Sequence, residues 1–227
     1  MSMHPLIASL KGKLVVSVQA YPGEPLREPH VMAQMARACE LGGAGAIRCQ
    51  GLSDISAIKG SVEVPVIGLW KEGHEGVYIT PTVRHALACV YAGSDIVAVD
   101  ATDRPRPDGS TFADAVEAVH GAGALVMADC ATIADVRRGF AAGADICSTT
   151  LSHGVAAIDC TMADGPDVEL LRQAAEEFPG CAVNCEGRVH TPQDVRAALD
   201  AGAWCVCAGT AITHPTSITS WFEAATH

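Results

Sequence analysis

The chain reads as an α/β protein, a single (β/α)8 barrel over residues 1–227, and three features of the sequence carry that reading. Eight short apolar runs recur along it, at 14–19, 44–49, 65–70, 95–100, 124–129, 145–149, 181–186 and 203–208. Helical stretches separate most of them. One phrase also repeats, in which a helical pattern ends on glycine and an apolar, β-branched run follows at once. It appears as Leu41-Gly42-Gly43-Ala44-Gly45-Ala46-Ile47, Tyr91-Ala92-Gly93-Ser94-Asp95-Ile96-Val97, Ala141-Ala142-Gly143-Ala144-Asp145-Ile146 and Asp200-Ala201-Gly202-Ala203-Trp204-Cys205. Glycine just past a helix takes the left-handed conformation that caps its C-terminus, so each phrase marks a helix-to-strand junction.

Residues 4–11 read as a short leading helix able to cover the barrel's bottom. The runs that follow are nearly continuous in apolar residues, as strands buried on both faces of a parallel sheet must be. Eight such units in a chain of roughly 200 to 250 residues favour a closed barrel over an open doubly wound sheet. Arg104-Pro105-Arg106-Pro107-Asp108-Gly109 is a stiff loop after the fourth strand, and Ile218 to Ala225 is the eighth barrel helix. No G-x-G-x-x-G follows the first strand and no glycine loop ends in Gly-Lys-Ser/Thr, which argues against dinucleotide and nucleoside-triphosphate sites.

Apolar residues make up 49% of the chain and aromatics only 4%, so the core must be built from Ala, Val, Ile, Leu and Cys. The net charge of −11 repels phosphodiester backbones and anionic lipid, and the partners expected are small molecules or protein. No apolar run reaches the roughly 18 residues that span a bilayer, and Met1 to Ser9 lacks the pattern of a signal peptide, which points to the cytoplasm. The ten cysteines include no C-x-x-C pair and sit mostly in apolar runs, as small core hydrophobes in a reducing compartment do.

In a barrel of this kind chemistry gathers where the strands end. The ends carry Gln19, Arg48, Lys71, Asp100, Asp129, Thr149 with Thr150, Glu186, and Gly209-Thr210. Two residues earlier, on the same inward face, Ala46, Leu69, Ala98 and Met127 are apolar while Ser17 and Asn184 are polar. Lys71 is one of only four lysines and directly follows an apolar strand. Glu186 ends another, where a carboxylate is desolvated unless paired. After strands seven and eight, Glu186-Gly187-Arg188 and Ala208-Gly209-Thr210-Ala211-Ile212-Thr213 bring backbone N–H groups and a helix N-terminus to the usual barrel phosphate position, so a phosphorylated small substrate is expected.

Taken in order, these residues resemble the N-acetylmannosamine-6-phosphate 2-epimerase family nearly end to end. The resemblance is carried by Ser17-Val18-Gln19-Ala20, Gly23-Glu24-Pro25-Leu26, Ile47-Arg48, Pro65-Val66-Ile67-Gly68 with Lys71, and Tyr78-Ile79-Thr80-Pro81-Thr82. It continues through Asp100-Ala101-Thr102, Arg106-Pro107-Asp108-Gly109, Met127-Ala128-Asp129, Thr149-Thr150-Leu151-Ser152, Glu186-Gly187-Arg188, His190-Thr191-Pro192 and Gly209-Thr210-Ala211-Ile212-Thr213. It implies a barrel of the ribulose-phosphate-binding type and an isomerase of sialic-acid and aminosugar catabolism that uses neither metal nor organic cofactor, with a homodimeric assembly. Lys71 and Glu186 match the catalytic pair, and Gln19, Arg48 and Asp129 match substrate contacts. Asp100 and Thr149 join the substrate contacts, and Gly187, Arg188, Gly209, Thr210 and His214 the phosphate site.

The departures lie around the mouth. His214 stands where the family usually has Arg, His153-Gly154-Val155 where it has Gly-Tyr-Thr, and Ala131 where it has Ser. Glu72-Gly73 follows Lys71 where the family tends to carry a basic and then an acidic residue. Two rival readings are another phosphate-barrel enzyme, either an isomerase or a decarboxylase whose Asp-x-Lys-x-x-Asp array is missing here, and a barrel that binds sugar phosphates without turnover.

Overall fold

A computed structural model describes residues 3–152 and 165–226. The His153-Gly154-Val155 departure and Cys160 lie outside the described residues. Eight strands pair in parallel and in sequence order, and the last closes on the first. They are β1 (Leu14–Val18), β2 (Ala46–Gln50), β3 (Val66–Leu69), β4 (Ile96–Asp100), β5 (Leu125–Asp129), β6 (Ile146–Ser148), β7 (Val183–Glu186) and β8 (Cys205–Ala208). Each lies inside its predicted run, except that β2 extends one residue beyond it to Gln50. The junction glycines Gly43, Gly93, Gly143 and Gly202 all have φ between +96° and +114°, the left-handed cap the repeated phrase predicts.

The helices are α1 (Pro5–Ser9), α2 (Pro29–Leu41), α3 (Leu52–Lys59), α4 (Val83–Tyr91), α5 (Phe112–Gly121), α6 (Ile133–Ala141), α7 (Val168–Glu177), α8 (Pro192–Asp200), the single turn α9 (Thr210–Thr213) and α10 (Pro215–Ala224). Thr111, Thr132 and Thr191 start α5, α6 and α8 as complete capping boxes with Asp114, Asp135 and Asp194. Reciprocal bonds between such a threonine and the third helical residue satisfy orphan N–H groups, so these helices begin at fixed positions beside the strand ends.

Two cores result. Between strands and helices lie small side chains, among them Ala36, Ala86, Ala115, Ala174, Cys49, Cys89 and Cys185. Burial pushes the thiols of Cys89 and Cys185 up to about 12, as befits uncharged core residues. Inside the barrel lie Val15, Ala46, Ile67, Ile96, Met127, Ile146 and Cys205, closed from below by Ile7 and Leu10. Trp204 Nε1 donates to Ile7 O at 2.8 Å, which ties the α1 plug to β8. With the bottom sealed by apolar packing, the inward polar residues are left at the opposite, C-terminal end.

Candidate active site

Lys71 lies two residues beyond the last paired residue of β3, Leu69, which is in register with Gln50. The chain nevertheless stays extended there. It folds back as a short hairpin, with an antiparallel bridge between Lys71 and Ile79, Glu72 N donating to Tyr78 O at 3.0 Å and Thr80 N to Trp70 O at 2.8 Å. Thr80 turns the chain at φ +49°, held by its hydroxyl donating to Ala98 O at 2.6 Å. Because extended residues alternate, this hairpin keeps Lys71 on the inward face. Its Nζ donates to Gln19 Oε1 at 2.9 Å, and Gln19 Nε2 donates in turn to Ser17 Oγ at 2.8 Å. Burial, and then the Arg48 guanidinium, lower the Lys71 ammonium to about 8, against the opposing pull of Glu186 and Asp129.

Arg48 is 1% exposed and sits at the centre of the mouth's charges. It makes a bidentate pair with Asp129, Nη1 to Oδ1 at 3.1 Å and Nη2 to Oδ2 at 2.7 Å. Its Nε lies 3.1 Å from Glu186 Oε1, an ion pair whose N–H is not aligned for a hydrogen bond. Burial works against the guanidinium charge, but the carboxylates of Asp129 and Glu186 outweigh it and hold Arg48 above its usual value. Burial conversely raises the Glu186 carboxyl, with Arg48 opposing and Asp129 assisting. Thr150 Oγ1 lies 2.8 Å from both Asp129 Oδ1 and Ser148 Oγ, and Asn184 Nδ2 donates to Ser148 Oγ at 2.8 Å. Arg48→Met should therefore leave two buried carboxylates without their cation and cost about 3 kcal/mol in a urea unfolding experiment. A variant as stable as the parent would show that water, not Arg48, compensates those charges.

Asp100 is in register with Asp129 but belongs to a separate pair. Its carboxylate accepts from Arg104 Nη2 at 2.6 Å, from Thr102 N at 2.9 Å and from Thr102 Oγ1 at 2.7 Å. Gly187, at φ +102°, follows β7, and Gly209 follows the neighbouring β8. A Cβ on Gly209 would lie 3.1 Å from Ser17 Cβ, so its lack of a side chain permits close approach of β8 to β1. Thr210 opens the α9 turn, which Thr213 pins by donating to Ser17 O at 2.7 Å.

Three expected contacts fall elsewhere. Ser148 and Thr150 take the inward positions, so alternation turns Thr149 the other way. Its hydroxyl donates to Glu186 O at 2.9 Å and accepts from Glu186 N at 3.0 Å, fixing the end of β7 instead of facing the mouth. Arg188 donates to the carbonyls of Gly165 at 2.9 Å and Ser152 at 3.4 Å, on the loop side of β6. His214 caps α10: its Nδ1 accepts from Ser217 N at 3.3 Å, and its Nε2 is bonded to Glu24. With both ring nitrogens engaged, it has no donor to offer a phosphate.

Sequence reasoning missed two aromatic residues at the mouth. The Tyr21 ring centre lies 5.5 Å from Lys71 Nζ, with the His214 ring edge-on at 5.6 Å. Tyr78 is raised mainly by burial, with Arg104 opposing and Asp129 and Asp100 assisting, which places it among the mouth's charged groups. Its place in the Tyr78-Ile79-Thr80-Pro81-Thr82 block was the available signal. Among the described residues no group of His, Cys, Asp and Glu is arranged to hold a metal ion, and no helix is long and apolar enough to cross a membrane.

The family model described as "Putative N-acetylmannosamine-6-phosphate epimerase" matches residues 32–227. The chain belongs to that family. A Cutibacterium acnes member named "Putative N-acetylmannosamine-6-phosphate 2-epimerase" is 53% identical over 97% of this chain and 96% of its own length. A Corynebacterium glutamicum member is 48% identical over 98% and 96%. A solved structure from a study of the N-acetylmannosamine-6-phosphate 2-epimerase of Clostridium perfringens superposes with TM-score 0.89 at 36% identity, covering 99% of this chain and 98% of that one. A thiamine phosphate pyrophosphorylase from Pyrococcus furiosus, at 16% identity and TM-score 0.62, shares the epimerase family's fold.

Proposed function

We propose that this chain interconverts N-acetylmannosamine 6-phosphate and N-acetylglucosamine 6-phosphate by removing the proton at C2 and returning it on the opposite face. One observation carries the mechanism. Lys71 follows β3 and Glu186 ends β7, four places apart in a closed order of eight strands, so they face each other across the mouth with the Arg48–Asp129 pair between them. In the open-chain sugar the C2 proton is acidified by the C1 aldehyde, and a base on one side with an acid on the other suffices to invert that carbon.

The electrostatics support those roles. Lys71 is lowered to about 8 and Glu186 is raised, so the state with a neutral amine and a protonated carboxyl comes closer in energy than it is for the two groups in water. Neutral Lys71 takes the C2 proton while Glu186 delivers one from the other side, and the roles exchange in the reverse direction. Arg48 and Gln19 hydrogen-bond the developing enolate or the acyl group, with Asp129 and Asp100 holding the guanidinium groups beside it. The phosphate rests on backbone at Gly187, Gly209 and Thr210. A sugar phosphate is thus the partner. We take residues 1–227 as one domain, working in the cytoplasm as a homodimer that the acidic surface keeps away from nucleic acid. Sizing on a calibrated column tests the dimer.

The activity is tested by incubating either sugar phosphate with the protein in deuterium oxide and following C2 by NMR. Interconversion with deuterium entering C2 is expected. No interconversion from either epimer would overturn the substrate assignment, and binding seen by thermal shift without turnover would make the barrel a sugar-phosphate binder.

A further inference from the structure

The hairpin that carries Lys71 has a second face. Trp70 and Glu72, its immediate neighbours, alternate to the side away from the mouth, where the first turn of α4 packs. His85 meets both of them there. Its ring is 2% exposed and lies 4.3 Å from the Trp70 ring at an interplanar angle of 61°. Nε2 is 2.7 Å from Glu72 Oε2, and Nδ1 is 2.6 Å from Thr82 Oγ1, the N-cap of α4. An ionised carboxylate can only accept, so the proton on Nε2 points to Glu72. Nδ1 either accepts from the Thr82 hydroxyl in the neutral ring or donates to it in the cation, and both contacts survive in either form.

We propose that His85 is a positioning residue for the epimerisation: by holding Trp70 and Glu72 against α4 it keeps residues 70–72 extended and aims Lys71 at Gln19 and the mouth. The inference rests on the reading of Lys71 as the group that moves the C2 proton. It assigns a task to a buried histidine that transfers no proton itself. The need for such a clamp is physical. Lys71 lies outside the barrel's parallel ladder, and a displacement of about 1 Å in a reacting group can cost about a hundredfold in rate.

Glu72→Ala is the first variant, because this side chain is 56% exposed and its loss leaves no cavity. Its kcat should fall about ten- to a hundredfold while KM changes by less than about twofold. The alkaline limb of the rate profile, set by Lys71, should also move to higher pH. Gln19, Tyr21, Arg48, Asp129 and Glu186 still face Lys71 in this variant, but a loosened side chain is better hydrated and holds its proton more tightly. Glu72→Gln keeps an acceptor for Nε2–H and should recover activity to within about threefold of the parent. His85→Leu should lose at least as much as Glu72→Ala, and the double variant should fall no further than His85→Leu alone, because Glu72 acts through His85. Parental kcat and pH profile in Glu72→Ala, or losses that multiply in the double variant, would overturn the clamp. Lys71→Met run alongside separates the two ideas: turnover surviving there removes Lys71 from the chemistry, whereas dependence on Lys71 with normal Glu72→Ala removes only His85.

Discussion

Lys71→Met is expected to lower turnover by about a hundred- to ten-thousandfold, the range that one positioned general base contributes. Methionine fills nearly the same volume and carries no proton, so the mouth keeps its shape. At pH 7.5 an amine lowered to about 8 is neutral in about a quarter of molecules, whereas an ordinary lysine near 10.5 is neutral in about one in a thousand. The lowered value thus supplies over a hundredfold more active base at working pH. Turnover in either direction needs one proton on the Lys71–Glu186 pair, so in the parent the rate should fall as pH rises past about 8 and that proton is lost, and this limb should vanish with Lys71. Stability should move the other way. The folded value lies below the unfolded one, so protonating Lys71 opposes folding, and stability falls as pH drops from the ordinary lysine range to about 8. At pH 7 the inactive Lys71→Met protein should therefore unfold at a higher urea concentration than the parent. An inactive variant that is also less stable at pH 7 would mean that the lysine holds the mouth together, and turnover within tenfold of the parent would remove it from the proton path.

The barrel was legible because its signals are local. Glycine in the left-handed region ends a helix whatever surrounds it, and a strand covered on both faces reads as an apolar run without reference to its neighbours. The mouth was legible only where alternation could be counted from a known strand. Gln19, Lys71, Asp129 and Glu186 came out inward. Thr149 did not, because a shift of one residue at the end of β6 turns a side chain to the other face, and no local pattern distinguishes Thr149 from Thr150. The hairpin over Lys71 depends on a bridge to Ile79 and on a threonine at positive φ, which sequence propensity disfavours. His214 finds Glu24 across 190 positions of sequence, and Arg188 spends its donors on carbonyls of another loop. Such pairings arise only once the barrel has closed.

Glu186→Gln should lower epimerisation by about a hundred- to ten-thousandfold, and the fate of deuterium then decides what Glu186 does. Glutamine keeps the length and the contact with Asn184, which lies 3.5 Å from Glu186 Oε2, and it leaves Arg48 its bidentate pair with Asp129. The change is therefore chiefly the loss of an exchangeable proton. If Lys71 and Glu186 serve opposite faces, Lys71 still removes and returns the C2 proton of whichever epimer presents it. Deuterium should then enter C2 of that one epimer from solvent, without inversion and at a rate near the parent's, while the other epimer stays unlabelled. The contrasting arrangement has Lys71 working alone through a substrate hydroxyl, with Glu186 opening the sugar ring, a role suited to a carboxylate held ionised by the Arg48 Nε 3.1 Å away. Ring opening precedes every proton transfer, so exchange and epimerisation would then fall together from both epimers. Burial raises Glu186 despite Arg48, which favours a carboxyl able to hold the proton it must deliver, and so one-sided labelling is the expected result.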